Sequence, residues 1–283
     1  MKKADVSDKQ KILSYLEKEI ANCLYIYADI CKYGFDKPYL NVWYDEDNLG
    51  IRMVVMQYHN SFQIYSNRGF DDIENVKNLI IDKKPYGISA RKEIVQELDK
   101  QLNDKYSSEY GVIFKGKEID KQKLKVLLDE CNEEILLAKS SDAEQIADLL
   151  CLDDEMGIIY TRDSLREEIK ERIETGMGRS YIIKKDGIVI AHNATFAESS
   201  KFVIVGGLMV HPDYRDKEYF YWLDLKSSLE FQMENKDRYF FILDPKLKKL
   251  HKKLGNEIIA EYGKLALIEN CLLYTSDAAD DKA

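Results

Sequence analysis

The chain has 283 residues, of which 45% are hydrophobic, and a formal net charge of −9. This length fits two globular domains. Because a nucleic-acid backbone is bound through a clustered basic surface, the acidic balance argues against nucleic acid as a partner. No apolar run is long enough to span a bilayer, and the N terminus has no signal-peptide pattern. We therefore expect a cytoplasmic protein with no membrane partner.

The cysteines and histidines show no metal-binding spacing. The five cysteines are scattered and include no CxxC pair, which is typical of reduced thiols in a reducing compartment. The four histidines form no HExxH or similar pattern, so we expect no structural or catalytic metal.

The first half of the chain mixes helical and strand patterns. A helical pattern covers residues 8–33 and stops at Gly34, and a second helix follows Ile73. Ser89 is the predicted cap of a third helix that carries Ile94 on its apolar face. Strands are predicted over residues 39–44, 51–58, 61–66, 86–89 and 110–115. Residues 1–117 are therefore predicted to form an α/β or α+β domain.

Residues 118–134 are rich in Lys, Asp and Glu and are interpreted as a charged linker with some helix. The second half then begins with a short strand at Ile135. A capping box formed by Ser141 and Glu144 is predicted to open the next helix, and Thr161 or Asp163 the one after it. The remaining segments are predicted as strands over 181–184, 188–196, 202–210, 239–243 and 258–267 and helices over 219–233 and 247–254.

The stretch from Val203 to Leu229 carries the strongest functional signal. An apolar strand ends at Val210, a short turn with Pro212 follows, and a long helix begins at Tyr219. A strand that leads directly into a helix leaves free backbone N–H groups at the helix start. Together with the helix dipole, these groups bind anions, often phosphates.

This stretch resembles the acetyl-CoA-binding motif of the GNAT acetyltransferase superfamily. Val210, Pro212, Tyr214 and Arg215 match the family pattern V-x-P-x-Y-R-G-x-G-x-G/A. The three glycine positions are instead Asp216, Glu218 and Phe220. The resemblance covers residues 135–267. It is supported by residues 186–192, which look like the family's "DGxIVAH" hairpin, and by residues 250–255 (LHKKLG), which look like its "LYEKLGF" signature.

The resemblance implies a mixed, mostly antiparallel central sheet flanked by helices, in two tandem domains. Residues 135–270 would form the acetyltransferase-like domain, and residues 1–117 a degenerate copy without a phosphate loop. The alternative for the first half is a scaffold or dimer surface, which allows a homodimer. Residues 271–283 resemble a translated sequencing adaptor and are excluded from fold reasoning.

The resemblance also implies acetyl-CoA as cofactor and a set of residues that contact it. The strand positions whose backbone pairs with the pantetheine arm are Leu208, Met209 and Val210. The phosphate-loop positions are Arg215, Asp216, Lys217, Glu218, Tyr219 and Phe220, and Asp244 replaces a family Asn. His251 stands where the family places the tyrosine that protonates the leaving thiolate.

Two further candidates are less specific. Glu198 is a candidate general base, directly or through a water, and Tyr160 stands where acceptor-pocket residues often occur. Each has a plainer interpretation: Glu198 as a turn residue and Tyr160 as a core residue. His251 has one as well, as a surface residue between lysines.

The substituted loop leaves two functions open. A carboxylate about 4 Å from a pyrophosphate charge costs up to about 4 kcal/mol at an effective dielectric near 20. The same carboxylates also stabilise a helix N terminus in place of a bound phosphate. The sequence therefore predicts either an acetyl-CoA-dependent N-acyltransferase for an amine of a small molecule or peptide, or a non-catalytic GNAT-like binding protein with a closed loop.

Overall fold

The computed structural model describes residues 1–69, 73–102, 105–153, 161–215 and 217–268. The predicted acceptor residue Tyr160, the loop residue Asp216 and the adaptor-like tail at 271–283 lie outside the described residues. The chain divides into two compact units. The first unit contains Met1–Phe114 and the described residues from Phe241 onward, and the second contains Lys115–Phe240.

The first unit is built on seven strands in the order β1-β2-β3-β4-β5-β12-β6. Its strands are β1 Lys2–Lys3, β2 Leu40–Asp47, β3 Gly50–Tyr58, β4 Ser61–Ser66, β5 Gly87–Arg91, β6 Tyr106–Lys115 and β12 Glu257–Leu267. Its helices are α1 Lys9–Leu16, α2 Leu24–Tyr33, α3 Ile73–Lys83, α4 Lys92–Gln101 and, near the C terminus, α9 Pro245–Lys253.

The long helical pattern at residues 8–33 is interrupted in the structure. A 3-10 helix, Glu17–Asn22, separates α1 from α2, and Glu19 has non-helical angles of φ −142° and ψ 58°. The predicted stop at Gly34 is confirmed, with φ at 65°. Ser89 does not cap α4: the helix begins after Arg91, which supplies no side-chain cap. Ser89 instead lies inside β5 because it pairs with Lys264 of β12.

The second unit contains strands in the order β11-β10-β9-β8-β7. They are β7 Ile135–Leu137, β8 Ser180–Lys185, β9 Ile188–Glu198, β10 Phe202–Val210 and β11 Asp237–Ile242. Its helices are α5 Lys121–Asp129, α6 Ala143–Leu150, α7 Arg162–Glu174 and α8 Tyr219–Met233.

Turn and cap chemistry explains the boundaries in the second unit. Asp186 and Gly187 both have positive φ, 51° and 81°, as a tight hairpin turn between β8 and β9 requires. Of the two predicted caps for α7, Thr161 is the one used, and its hydroxyl accepts a hydrogen bond from the Ser164 N–H. The predicted capping box of Ser141 and Glu144 is wrong. The carboxylate of Asp142 accepts from the Lys139 N–H instead.

Both units share one sequence of elements, a three-strand antiparallel meander followed by a helix and a parallel strand. In the first unit, β2, β3 and β4 form the meander and β5 runs parallel to β4. In the second, β8, β9 and β10 form it and β11 runs parallel to β10. This repetition agrees with the expectation that the first half copies the fold of the second.

The C-terminal strand differs from the predicted division of the chain. The sequence predicts that residues 241–270 belong to the second domain. In the structure, however, β12 pairs antiparallel with β5 from Tyr262↔Arg91 to Ala266↔Gly87. Its Leu265 is 1% exposed and packs in the same core cluster as Phe62, Ile88 and Leu98. By its contacts, β12 completes the sheet of the first unit.

Candidate functional site

The candidate site in the second unit lies where β10 and β11 stop pairing. The two parallel strands are joined at Phe202↔Asp237, Val203↔Arg238 and Ile204↔Tyr239. Within the described residues, the part of β10 from Val205 onward has no strand partner on that side. The last six residues of β10 therefore present backbone groups along an open edge.

The open part of β10 is distorted by a bulge. Its pairing with β9 shifts between Gly206 and Met209, and Gly207 has φ of +65°, a conformation that favours glycine. A Cβ on Gly206 would lie 2.3 Å from the ring of Phe196. Gly207 is thus required by the backbone, and Gly206 by close packing.

After the bulge, the backbone of β10 points alternately toward β9 and away from it. The His211 N–H donates to the Ile190 carbonyl of β9 at 2.8 Å. Successive residues of a regular strand face opposite edges, so Val210, which follows the bulge, directs its N–H and C=O to the open edge. The Val210 carbonyl there accepts a hydrogen bond from Arg215 Nε at 3.2 Å.

A buried histidine, which sequence reasoning had treated only as part of a motif, holds the bulge from behind. His192 is 1% exposed, and its Nδ1 lies 2.7 Å from the Gly207 carbonyl oxygen. Because that oxygen can only accept, Nδ1 carries the proton, and Nε2 accepts from the Ser180 hydroxyl at 3.3 Å. Burial lowers the pKa of His192 to about 4, although the hydrogen bond to Gly207 opposes this shift. The imidazole is therefore neutral at pH 7.

The loop after β10 satisfies most of its own backbone donors. The N–H of Asp213 donates to His211 Nδ1, and the N–H of Tyr214 donates to the His211 carbonyl. The N–H groups of Arg215 and Lys217 donate to the carbonyls of Pro212 and Tyr214. In a phosphate-binding loop such N–H groups point at the anion. Four N–H groups of the described part of this loop are therefore engaged in internal hydrogen bonds.

The start of α8 retains two N–H groups that could meet an anion. Glu218 precedes the helix without a side-chain cap, and within the described residues the N–H groups of Tyr219 and Phe220 have no acceptor. Lys217, Glu218 and Phe220 are exposed. The Tyr219 side chain, in contrast, is 6% exposed and directs its hydroxyl to Glu133 at 3.4 Å. Its side chain has a structural role.

The structure does not bring Glu198 to the loop. In the antiparallel β9–β10 pair, Glu198 lies opposite Val203, whereas Val210 lies opposite Ala191. These two positions are seven residues apart along the strand, a distance of roughly 23 Å. As a turn-proximal residue at the far end of the hairpin, Glu198 matches the plainer of its two interpretations.

Glu198 is also bound by two cations. Its carboxylate pairs with Arg179 at 2.8 Å and Lys236 at 3.3 Å, and it accepts from the Thr195 hydroxyl at 2.7 Å. Burial raises the pKa of Glu198, but Arg179, Thr195 and Lys236 together hold it below its ordinary value. A carboxylate stabilised in this way is a poor proton acceptor.

The other two predicted residues lie in the first unit. Asp244 caps α9 by accepting a hydrogen bond from the Lys246 N–H. His251 is half-buried and stacks on Phe114, with ring centroids 5.1 Å apart. Its Nδ1 lies 2.9 Å from Asn256 Nδ2, an amide donor, which places the proton of the neutral ring on Nε2. The neutral ring can donate this N–H in a hydrogen bond, and the acid role of His251, which needs the protonated ring, stays a prediction.

A cleft in the first unit contains none of the predicted site residues. It is lined by residues of β4, β5 and the start of α2, including Gln63, Ser89 and Arg91. Arg91 pairs there with Glu19 at 2.9 Å. Within the described part of the chain, no group of three or more His, Cys, Asp or Glu residues could hold a metal, and no helix is long and apolar enough to cross a membrane.

Comparison with solved structures identifies the fold. A GCN5-related N-acetyltransferase-like protein from Streptococcus suis aligns over 92% of this chain and 99% of its own, with a TM-score of 0.61 and 14% identity. A Drosophila protein aligns over 95% and 98%, with a TM-score of 0.66 and 13% identity. No protein-family model and no curated protein matches the sequence.

A third neighbour has the same tandem arrangement. A tandem GNAT protein from the clavulanic acid biosynthesis pathway aligns over 93% of this chain and 96% of its own, with a TM-score of 0.57 and 11% identity. The chain therefore has the fold of the GNAT superfamily in two domains, as the sequence resemblance predicted. At these identities the likeness establishes the fold alone.

Proposed function

We propose that the protein is an acetyl-CoA-dependent N-acyltransferase that acts on an amine of a small molecule or peptide. The observation that carries this proposal is the open edge of β10 beyond Ile204. An extended pantetheine arm pairs with such an edge through its amides. The N–H groups of Leu208 and Val210 are the donors we assign to it.

The same donors suit the chemistry of acyl transfer. The amine nitrogen attacks the thioester carbon, a C–N bond forms, and negative charge develops on the carbonyl oxygen. A strand N–H at the open edge would stabilise that oxygen. The C–S bond then breaks, the amine loses a proton, and the thiolate gains one. Since the two reactants are held side by side, positioning supplies much of the rate.

A second candidate function is supported by the loop. Its amides are engaged internally, and Asp213 and Glu218 add exposed carboxylates next to α8. These features favour a GNAT-like binding protein that does not take a pyrophosphate. The two functions differ in one respect that can be measured, namely the contribution of the nucleotide to binding.

Calorimetric titration of acetyl-CoA and of acetylpantetheine separates the two functions. If the open edge of β10 binds the pantetheine arm while the loop binds the pyrophosphate poorly, both ligands bind with Kd values within a few-fold of each other. Heat from neither ligand, and no thermal shift at millimolar concentration, would instead support the non-catalytic function.

The loop assignment has its own test. The triple variant Asp216→Gly/Glu218→Gly/Phe220→Gly removes two carboxylates and the ring, so acetyl-CoA should bind about tenfold more tightly, equivalent to about 1.4 kcal/mol. Acetylpantetheine, which has no pyrophosphate, should be unaffected. Leu208→Ala is the matched control, because the proposed contact uses the backbone and should leave both affinities unchanged. Equal tightening of both ligands would contradict the loop assignment.

A further inference from the structure

Helix α9 has an unusual charge distribution for an acidic protein. Within nine residues it carries five lysines and a histidine, with no acidic residue, although the chain has a net charge of −9. The lysines, here called the lysine face, are Lys246, Lys248, Lys249, Lys252 and Lys253. Four of them are exposed, and Lys248 is half-buried.

The lysine face is continuous. At 100° per residue, the five side chains fall within an arc of roughly 160° on the helix. Leu247, Leu250 and Leu254 occupy the neighbouring arc. The side of α9 that meets solvent is therefore almost entirely cationic, and an apolar strip borders it.

These positive charges are not compensated within the described residues. No ion pair joins the lysine face to a carboxylate there, whereas Arg162 of α7 pairs with both Glu144 and Asp148. The Asp244 carboxylate accepts a hydrogen bond from the Lys246 backbone N–H, and Glu261 of β12 pairs with Lys92 instead of with the lysine face. The lysine side chains thus have no ion-pair partner among the described residues.

The arrangement is unfavourable for an isolated helix. Several of the lysines are three or four residues apart, where like charges repel. Lys246 also lies in the first turn, where the helix dipole disfavours a cation, whereas Lys252 and Lys253 lie in the last turn, where the dipole favours one. An anionic partner would relieve both effects, because it supplies the missing negative charge.

The apolar border indicates the chemistry of that partner. Leu247 is 44% exposed, Leu254 is 39% exposed, and Ile258 of β12 is 39% exposed. A nucleic-acid backbone offers nothing apolar to this strip. The net charge of −9 opposes close approach to a broad anionic membrane. We infer that the lysine face docks an acidic, amphipathic segment of a partner protein, with its carboxylates on the lysines and its apolar side chains on Leu247 and Leu254.

A designed peptide tests this inference on the full chain. The probe is a dye-labelled helical peptide of Glu and Leu with an acidic face beside an apolar stripe, and binding is followed by fluorescence anisotropy. We expect saturable binding that weakens roughly tenfold between low and moderate salt, because screening acts on exposed charges. The same peptide with Gln in place of Glu should not bind. Absence of binding by the Glu peptide at low salt would overturn the inference.

Charge reversal locates the binding. The variant Lys246→Glu/Lys249→Glu/Lys253→Glu should weaken peptide binding at least twentyfold. Leu247→Ser/Leu254→Ser should weaken it several-fold while leaving the charges in place. Since all of these side chains are at the surface, thermal unfolding should change little. If the triple variant does not fold, the same three positions are changed to Gln.

A matched control lies on α5. Lys121→Glu/Lys123→Glu/Lys125→Glu changes the net charge by the same amount, but these exposed lysines do not form one face of their helix. Its peptide affinity should stay within about twofold to threefold of the parent protein. Equal weakening in both triple variants would show a net-charge effect and overturn the assignment. Tighter binding of anionic vesicles or of an oligonucleotide at the lysine face would overturn the assigned partner class.

Discussion

At the scale of single residues, His192 decides the geometry of the open strand. Its protonated Nδ1 is held on the Gly207 carbonyl, and Ser180 fixes the tautomer from the other side. From sequence it was only the last letter of a motif match. Whether a histidine in an apolar strand points inward, and which carbonyl it meets, depends on the register of β9 against β10.

The buried His192 makes stability depend on pH. Its folded pKa of about 4 is below the unfolded value near 6.5, so the unfolded chain binds a proton that the native state does not. The free energy of unfolding should therefore decrease as pH falls from about 6.5 to 4, by up to about 3 kcal/mol from this group. Below pH 4 this contribution no longer changes.

Urea denaturation between pH 4 and 7.5 measures this dependence in the parent protein and in His192→Asn. The Asn amide can still donate to Gly207 but does not titrate. The variant should therefore lose the part of the slope between pH 4 and 6.5. An unchanged slope would mean that His192 is not the group responsible.

Gly207 gives a second prediction at this scale. With φ at +65°, an alanine is strained there, and its Cβ would lie 3.3 Å from the His192 ring. Gly207→Ala should destabilise the protein by about 1–2 kcal/mol and weaken acetyl-CoA binding by displacing the Leu208 N–H. Gly34→Ala is the control: it has the same positive φ of 65°, open space at its Cβ, and a place at the end of α2 in the first unit. This control variant should lower the free energy of unfolding without weakening acetyl-CoA binding. Weakened binding in both variants would show that the loss follows from instability and not from the bulge.

At the scale of elements, ion pairs between side chains stabilise the end of the β9–β10 hairpin. Arg179 pairs with Glu198 and with Glu234, and Lys236 joins both carboxylates. Burial lowers the pKa of Arg179, but its carboxylate partners raise it overall. Arg179 and Lys236 in turn lower the pKa of Glu234 to about 2. The predicted general base is thus part of a network that fixes the hairpin.

Glu198→Gln tests this reassignment. Loss of the charge should lower the free energy of unfolding by about 2 kcal/mol, because two half-buried cations lose a charged partner. Acetyl-CoA affinity and any turnover should change less than twofold. A large fall in turnover with unchanged stability would restore Glu198 to a catalytic role.

His251→Phe supplies the contrast: the sequence predicts lower turnover with cofactor affinity nearly unchanged.

At the scale of the whole molecule, the last strand joins the two ends of the chain. β12 follows the second unit in sequence but pairs with β5 of the first. Gly263 in this strand packs against Val95 and Tyr110, and a Cβ there would lie 2.8 Å from Val95. The sheet of the first unit therefore includes a strand that lies more than 140 positions further along the chain than its other strands.

Truncation tests this dependence. A chain that ends at Asn256 lacks β12, so the core around Phe62 and Leu98 loses Leu265 and the edge of β5 is exposed. Limited proteolysis should then digest residues 1–114 before residues 115–240. A chain that ends at Asn270 lacks only the adaptor-like tail and should match the full chain. Proteolytic resistance of residues 1–114 without β12 would contradict the assignment.

The sequence by itself determined the elements, because apolar periodicity and turn residues act locally. It placed β4, β10 and α8 at the bounds that the structure has, and Gly34 and Asp186-Gly187 at their turns. The motif around Pro212 and Arg215 also led to the correct fold. Only the tertiary structure decided the partner of β12, the distance of Glu198 from the loop, and the role of His192. Strand pairing and register join residues distant in the chain, and local periodicity carries no information about them.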